Sequence, residues 1–114
     1  REPQKGEILV FQYPRDTRRD FIKRVIATPG DTIEIKDGRV FVNDQMLNED
    51  YILEQTKSDY PKSTVPKGTL FVMGDNRNNS EDSRFADVGF VPFDLVKGKA
   101  MLVFWPLAQF KALP

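Results

Sequence analysis

Short apolar runs of strand length, each closed by turn residues, constrain the fold of this 114-residue chain more than any other feature. They occupy residues 8–11, 21–27, 32–36, 39–42, 45–47, 69–73 and 99–105. No extended helical period is present, and only residues 93–96, after Pro92, indicate a helical turn. Residues 48–67 are largely polar and contain two prolines, so they are predicted as a surface excursion. We therefore expect one mainly β domain over residues 1–114, built from short antiparallel strands and hairpins with very little helix.

Two tight turns carry the most specific part of this prediction. Asp37-Gly38 stands between residues 32–36, which alternate polar and apolar side chains, and residues 39–42. It can supply the positive φ angles of a type I′ turn. Asn43-Asp44 follows and leads into residues 45–47. The chain is therefore predicted to form a hairpin with a third short strand beside it.

The composition of the chain excludes several classes of function. Its 17 Lys and Arg residues balance 17 Asp and Glu residues, whereas a nucleic-acid binder needs a surplus of basic residues on one face. Cys and His are both absent, which removes disulfides, Cys or His catalysis and zinc sites of the usual type. We expect no nucleic-acid partner, no metal and no cofactor. Carboxylate, lysine and hydroxyl chemistry remains.

Lys23 is the residue that folding alone explains least. It lies within an apolar run, with Phe21 and Val25 on its own face of the predicted strand. One interpretation is an edge-strand lysine whose amine reaches water and guards against edge pairing. The other is a buried lysine, because burial can lower a lysine pKa by ~3 units from ~10.4. A neutral amine can accept the proton of a serine hydroxyl and so replace histidine as a base.

Residues 74–84 form a polar segment that cannot contribute to a core. One interpretation is a solvated loop of turn-forming residues. A calcium loop is rejected, because Arg77 stands where a ligand oxygen is required and Ala86 where a bidentate Glu is required. Asp75 and Asp82 each have an arginine near them in sequence, so paired charges could instead organise a rigid loop. Such a loop beside a strand lysine would be a site.

Three segments carry a pattern that extends over nearly the whole chain. They are residues 5–11 (Lys-Gly-Glu-Ile-Leu-Val-Phe), residues 19–31 (Arg-Asp-Phe-Ile-Lys-Arg-Val-Ile-Ala-Thr-Pro-Gly-Asp), and residues 74–92, where Gly-Asp-Asn-Arg precedes Ser-x-Asp-Ser-Arg and Gly-Phe-Val-Pro. In this order they resemble the signature boxes of bacterial type I signal peptidase. The resemblance implies a signal-peptidase-like β fold. It also implies a membrane-anchored serine endopeptidase that removes signal peptides from exported preproteins with a Ser/Lys dyad.

The resemblance assigns catalytic roles to particular residues. Lys23 corresponds to the general base, while Ser80 and Asp82 correspond to residues that orient and support it. The implied supporting ion pairs are Asp75 with Arg24 and Asp82 with Arg84. A bare carboxylate close to Lys23 would favour the ammonium form and spoil the base. Pairing with Arg84 would neutralise Asp82 and leave the Ser80 hydroxyl as the close partner of the amine.

The resemblance also implies where the substrate lies. A preprotein is expected to lie extended along Asp20, Phe21 and Ile22 by adding a strand to the sheet. Val10 corresponds to a residue that lines the pocket for small side chains. The expected partners are therefore signal-peptide-bearing preproteins and the membrane lipid surface.

The family's nucleophile is a serine in a Ser-Met-x-Pro box that precedes all of these segments, and no serine precedes Lys23 here. We expect the nucleophile, its oxyanion-hole partner and the membrane anchor to lie before Arg1. The chain would then be a fragment that does not cleave a substrate alone. Because it has no apolar stretch of ~18 residues, the fragment is expected to be soluble. The full protein is expected in the bacterial cytoplasmic membrane, with its catalytic domain on the outer side.

Three alternatives remain from the sequence. A self-cleaving repressor of the SOS response also uses a Ser/Lys dyad, but its pattern lacks the Gly-Asp-Asn-Arg box. A non-catalytic homologue that assists pilus assembly would be a binding protein, which the presence of Lys23, Ser80 and Asp82 argues against. A plain β-rich interaction module, including one that meets anionic lipid through basic residues, is the third. The basic residues concerned are Arg15, Arg18, Arg19 and Arg24.

The last segment of the chain is its most apolar. Residues 101–104 are expected to pack into the core. A strand ladder must end at Pro106, so Trp105, Leu107 and Phe110 are predicted to form an exposed apolar patch. Trp is well suited to the headgroup level of a bilayer. We therefore expect this patch to face the membrane near the substrate groove.

Overall fold

A computed structural model describes residues 3–47, 59–75, 77, 82–85 and 88–99 of the chain. Its strands are β1 (Ile8–Tyr13), β2 (Asp16–Ala27), β3 (Thr32–Lys36), β4 (Arg39–Val42), β5 (Gln45–Met46), β6 (Tyr60–Thr64), β7 (Thr69–Met73), β8 (Val91–Pro92) and β9 (Val96–Lys99). A 3-10 turn, Phe93–Leu95, follows Pro92. The predicted mainly β class and the predicted helical turn are both confirmed. Within these residues, no helix has the length and apolar character needed to cross a membrane.

The strands form two antiparallel sheets. The first has the order β8-β7-β2-β1-β9 and the second has the order β5-β4-β3-β6. Both predicted tight turns lie in the second sheet. The φ angles are 53° at Asp37, 80° at Gly38, 53° at Asn43 and 66° at Asp44. Positive φ at both central residues is the mark of a type I′ turn, so the hairpin and its third short strand are confirmed.

Beyond shifts of one or two residues at strand ends, four strands differ from the sequence-based expectation. β2 begins at Asp16, five residues before the predicted run at 21–27, and β8 was not predicted. β6 lies within the segment predicted as a surface excursion, where it pairs with β3 at an edge of the second sheet. Its side chains are mostly exposed, and an edge strand tolerates Pro61 because one of its sides needs no N–H donor. β9 begins at Val96, three residues before the predicted strand at 99–105. Residues 48–58 and 100–105 lie outside the described residues.

Each face of the first sheet covers its own hydrophobic core. In β7, Leu70 and Val72 belong to one core and Phe71 and Met73 to the other, because successive strand residues alternate between faces. The core that the two sheets share contains Ile26, Ala27, Ile33, Ile35, Val40, Val42, Val65, Phe71 and Met73. The core on the opposite face contains Leu9, Phe11, Tyr13, Val25, Leu70, Val72, Val88 and Val91. Strand β2 therefore lies between two cores and contributes to both.

Asp31 joins the end of β2 to the second sheet and to the segment before β1. Its Oδ2 accepts hydrogen bonds from Thr28 N at 2.9 Å and Thr28 Oγ1 at 3.0 Å, and lies 3.3 Å from Lys5 Nζ. Its Oδ1 accepts a hydrogen bond from Asn43 Nδ2 at 2.9 Å. Burial alone would raise the pKa of Asp31, but the hydrogen bonds from Thr28, Asn43 and Lys5 together hold that pKa below its usual value.

We expect Asp31→Asn to lower the free energy of unfolding by about 1–2 kcal/mol at neutral pH, because charged hydrogen bonds are lost. Since the folded-state pKa of Asp31 is lowered, the carboxylate stabilises the fold above the unfolded value, near 3.8. This stabilisation is lost as the pH falls through the folded-state pKa. Urea denaturation should therefore show that the free energies of unfolding of the wild type and Asp31→Asn converge as the pH falls from neutral to the lowest value at which the fold persists. A constant difference would contradict this role.

Candidate active site

Lys23 is buried in the first sheet although it carries an amine. The residue is 8% exposed and lies opposite Leu9 of β1. The register of β2 with β7, in which Arg24 faces Met73, brings Gly74 beside Lys23 on the other side. The interpretation of Lys23 as an edge-strand lysine that reaches water is therefore wrong, and the buried interpretation is the one the structure supports.

In the part of the chain that the structure describes, the first part of β2 has an open edge beside this lysine. Among the described residues, β1 pairs with β2 at Asp16 and at residues 20–24, whereas β7 pairs only with the last four residues of β2. Val25 N donates to Glu7 O at 2.8 Å, so odd-numbered residues of this stretch direct their backbone polar groups toward β1. The even-numbered Asp20 and Ile22 accordingly direct their N–H and C=O groups toward the open edge. Such an edge is a template for the addition of a strand.

Three of the four residues predicted to bind substrate lie along this stretch of β2, and the fourth, Val10, lies in the neighbouring strand β1. Asp20, Phe21 and Ile22 are consecutive in β2. Val10 lies opposite Ile22 in the β1–β2 pair, and both are half-buried on the sheet face opposite to Lys23. The structure therefore brings the backbone polar groups of Asp20 and Ile22 to the open edge, and it places Val10 on the sheet face opposite to Lys23. Their part in substrate binding stays a prediction.

Arg24, the residue after Lys23, joins three segments on the opposite face of the sheet. Its Nε and Nη2 donate to Oδ1 and Oδ2 of Asp75 at 2.9 Å and 2.7 Å, and its Nη1 donates to Gly6 O at 3.0 Å. A planar guanidinium suits this two-point contact with a carboxylate. The pairing of Arg24 with Asp75 that the resemblance implies is present. It ties the segments before β1 and after β7 to the strand that carries Lys23.

A second two-point ion pair, between Asp82 and Arg84, is more deeply buried. Arg84 Nε and Nη2 each lie 2.8 Å from an oxygen of Asp82, whose side chain is 0% exposed. Asp82 Oδ2 also accepts a hydrogen bond from Gly74 N at 3.1 Å, and Arg84 Nη2 donates to Arg77 O. The implied pairing is again present. It places a neutralised carboxylate next to Gly74, the residue beside Lys23.

Ser83 makes a contact to which the sequence analysis gave no role. Its Oγ accepts a hydrogen bond from Val72 N at 2.8 Å, and its N donates to Val72 O at 3.0 Å. Ser83 is buried and therefore fixes the loop to β7 as a strand partner would. No local pattern links the two residues, which are 11 positions apart. The place of Ser83 in the Ser-x-Asp-Ser-Arg motif is the signal that could have identified it.

Two sets of predictions fall outside the described residues. Ser80, predicted to orient Lys23, is one of them, together with residues 78, 79 and 81. The apolar patch of Trp105, Leu107 and Phe110 is the other. Both sets stay predictions.

The charges of the site are arranged as ion pairs rather than as a cation site. In the part of the chain that the structure describes, no group of three or more His, Cys, Asp or Glu side chains could hold a metal ion. Asp75 and Asp82 each face an arginine instead. The result is a buried amine next to an open sheet edge. This arrangement suits proton transfer to or from a group on a peptide at that edge.

Comparison with known proteins bears on both the fold and the site. The model of the family described as signal peptidase, peptidase S26, matches residues 1–105. The chain is also similar to the crystal structure of a signal peptidase I from Enterococcus faecalis. The two share 35% sequence identity with a TM-score of 0.76, over 87% of this chain and 97% of that one.

Curated relatives agree with this match. A probable signal peptidase I-1 of Synechocystis sp. is 44% identical over 97% of this chain and 59% of its own length. Signal peptidase IB of Staphylococcus aureus is 36% identical over 95% of this chain and 64% of its own length. Thylakoidal processing peptidase 1 of Arabidopsis thaliana is 37% identical over 93% of this chain and 34% of its own length. The chain thus spans about half the length of the curated relatives it matches.

Proposed function

Because the chain belongs to the signal peptidase family, we propose that the protein containing it is a serine endopeptidase that removes signal peptides from exported preproteins. Lys23 is its general base. The observation that carries this proposal is the position of Lys23, buried in a strand next to an open edge. A buried amine is favoured in its neutral, proton-accepting form. An open edge gives an extended peptide a place to bind within reach of that amine.

The substrate is an extended segment around the cleavage site, bound by strand addition. The N–H and C=O groups of Asp20 and Ile22 pair with the backbone of this segment. Backbone pairing is independent of side chains, which suits an enzyme whose substrates differ in sequence. Selection then comes from pockets for small side chains, to which the family resemblance assigns Val10.

The proposed reaction is acyl transfer. The Lys23 amine takes the proton of a serine hydroxyl, which the family resemblance assigns to a position before residue 1. The serine oxygen attacks the carbonyl carbon of a small residue such as alanine, and the C–N bond from that carbon to the following residue breaks. The leaving amine takes the proton from the Lys23 ammonium, and an ester remains. Lys23 then deprotonates the water that hydrolyses this ester.

The two ion pairs support this chemistry without taking part in it. Arg24 with Asp75 and Arg84 with Asp82 hold the segment after β7 against the strand of Lys23. Since the Asp82 charge is balanced by Arg84, it does not favour the ammonium form of Lys23 as a bare carboxylate would. Ser80 is then the neutral residue that orients the amine.

We also propose that the protein acts at the outer face of the bacterial cytoplasmic membrane. The family resemblance supports this placement. The aromatic and apolar residues after β9, with Trp105 among them, are of the kind that sit at lipid headgroups. Membrane lipid would then be a second partner, beside the preprotein.

The alternatives explain the site less well. A pilus assembly factor that only binds has no need of a buried lysine next to an open sheet edge, because burying an amine is costly. A self-cleaving repressor would cut its own chain. The proposed enzyme cuts a second protein, and this difference can be measured directly.

The test is cleavage of a preprotein by the full-length protein in detergent. We expect one cut, located by mass spectrometry, after a small residue at the end of the signal peptide. A matched preprotein with Trp at that position should remain intact, since a pocket for small side chains rejects it. No cleavage of either preprotein, or cleavage of the protein's own chain alone, would contradict the proposal.

A further inference from the structure

Phe21 contacts two cationic side chains on the Lys23 face of β2. Lys23 Nζ lies 5.4 Å from the centroid of the Phe21 ring, and Arg19 Cζ lies 5.3 Å from the same centroid. Both distances are within the range over which the negative face of an aromatic ring attracts a cation. One ring is therefore shared by a buried amine and an exposed guanidinium.

Neighbouring side chains fix the position of the Phe21 ring. Tyr13 stacks on it with a centroid distance of 4.8 Å and an interplanar angle of 12°. Phe11 meets it edge to face at 6.1 Å. Arg19 Cζ is also 4.8 Å from the centroid of Tyr13, so the guanidinium covers both rings. A ring held in this way presents a constant surface to Lys23.

We propose that Phe21 is a positioning residue for Lys23, and that the Arg19 guanidinium on the same ring weakens the hold of the Lys23 amine on its proton. This inference rests on the proposed function, in which that amine is the base. The ring orients the lysine side chain and attracts the ammonium form more than the neutral amine. Arg19 has the opposite effect, because two like charges at most about 11 Å apart repel each other.

Most other charged groups on the elements around Lys23 are paired with one another. The ion pairs are Arg24 with Asp75, Asp82 with Arg84, and Asp20 with Lys97. Further charged residues on these elements are Glu7, Arg77 and Lys99. Neither the ion-paired groups nor Glu7 and Arg77 lie over the Phe21 ring, as Arg19 does, within the described contacts. They are unchanged in the variants below, so differences between variants report on Arg19 and Phe21.

Arg19→Gln is expected to raise the titration midpoint of the Lys23 amine by about half a pH unit at low salt. The measurement is the NMR shift of labelled lysine Cε in the full-length protein, with the Lys23 signal identified by its loss in Lys23→Arg. The acid limb of the kcat/KM profile should move upward by the same amount. Added salt should reduce the difference, because it screens exposed charges. Arg19→Lys keeps the charge and should resemble the wild type.

Phe21→Leu is expected to move the midpoint in the opposite direction, downward by about half to one pH unit, because the attraction of the ring is lost. It should also lower kcat more than it raises KM, since the ring acts on the base rather than on the substrate. Phe21→Tyr retains the ring and should restore both values. A purely structural role would not shift the Lys23 midpoint in opposite directions at the two positions.

Arg18→Gln is the matched control, because Arg18 is the adjacent exposed arginine and pairs with Asp16. It should leave the midpoint of Lys23 unchanged. Equal midpoints in the wild type, Arg19→Gln and Phe21→Leu would overturn this inference, even if Lys23 proves essential. Cleavage that persists in Lys23→Ala would instead overturn the proposed function.

Discussion

Replacing Lys23 by alanine is expected to lower kcat/KM for preprotein cleavage by about a thousandfold or more. In the proposed mechanism the amine activates both the serine and the water, so both half-reactions lose their base. Lys23→Arg should be equally inactive, because a guanidinium stays charged and cannot accept a proton. The measurement is the initial rate of signal-peptide release by the full-length protein in detergent, compared with the wild type.

Two further variants separate the chemistry of Lys23 from its packing. Lys23→Met keeps an unbranched, flexible side chain in the buried position and should fold at least as stably as the wild type, yet remain inactive. Lys36→Met changes an exposed lysine at the end of β3 and should retain full activity. Substantial cleavage by Lys23→Arg would rule out Lys23 as the base.

The parts of the fold that could be predicted from sequence are those determined by neighbouring residues. Asp37-Gly38 and Asn43-Asp44 favour positive φ, and the flanking residues alternate in polarity, so turn and strands agree within a few positions. β6 could not be predicted, because no local pattern marks it as a strand. It contains Pro61, its side chains are mostly exposed, and its pairing with β3 is set by tertiary contact rather than by pattern.

The candidate site depends on contacts that no local pattern contains. Arg24 and Asp75 are 51 positions apart, and the open edge next to Lys23 exists because β7 stops pairing at Arg24. A lysine within an apolar run suggested either burial or an exposed edge, and only the sheet order distinguishes the two. The pairings of Arg24 and Arg84 followed from the resemblance to a family. The contact of Ser83 with Val72 and the shared ring of Phe21 did not follow from it.

Asp82→Asn is expected to lower the free energy of unfolding by about 3–5 kcal/mol, the second large effect that the structure predicts. The substitution keeps an oxygen that can accept the Gly74 N–H, but it leaves the guanidinium of Arg84 buried without its counter-charge. Removing one partner of a buried ion pair costs more than the pair itself contributes, because the remaining charge has lost its hydration. Chemical denaturation of the full-length protein, followed by circular dichroism, measures the change.

The control for this prediction is an ion pair of similar geometry on the surface. Arg18 Nε lies 3.0 Å from Asp16 Oδ1, but the Arg18 side chain is 89% exposed, so Arg18→Ala should cost at most about 1 kcal/mol. The double variant Asp82→Asn with Arg84→Met removes the uncompensated charge. It should be less destabilised than the sum of the two single variants. Additive effects of the two substitutions would contradict this prediction. So would a loss of unfolding free energy in Asp82→Asn no larger than that in Arg18→Ala. Either result would mean that water reaches the pair and that burial does not hold this loop against the strand of Lys23.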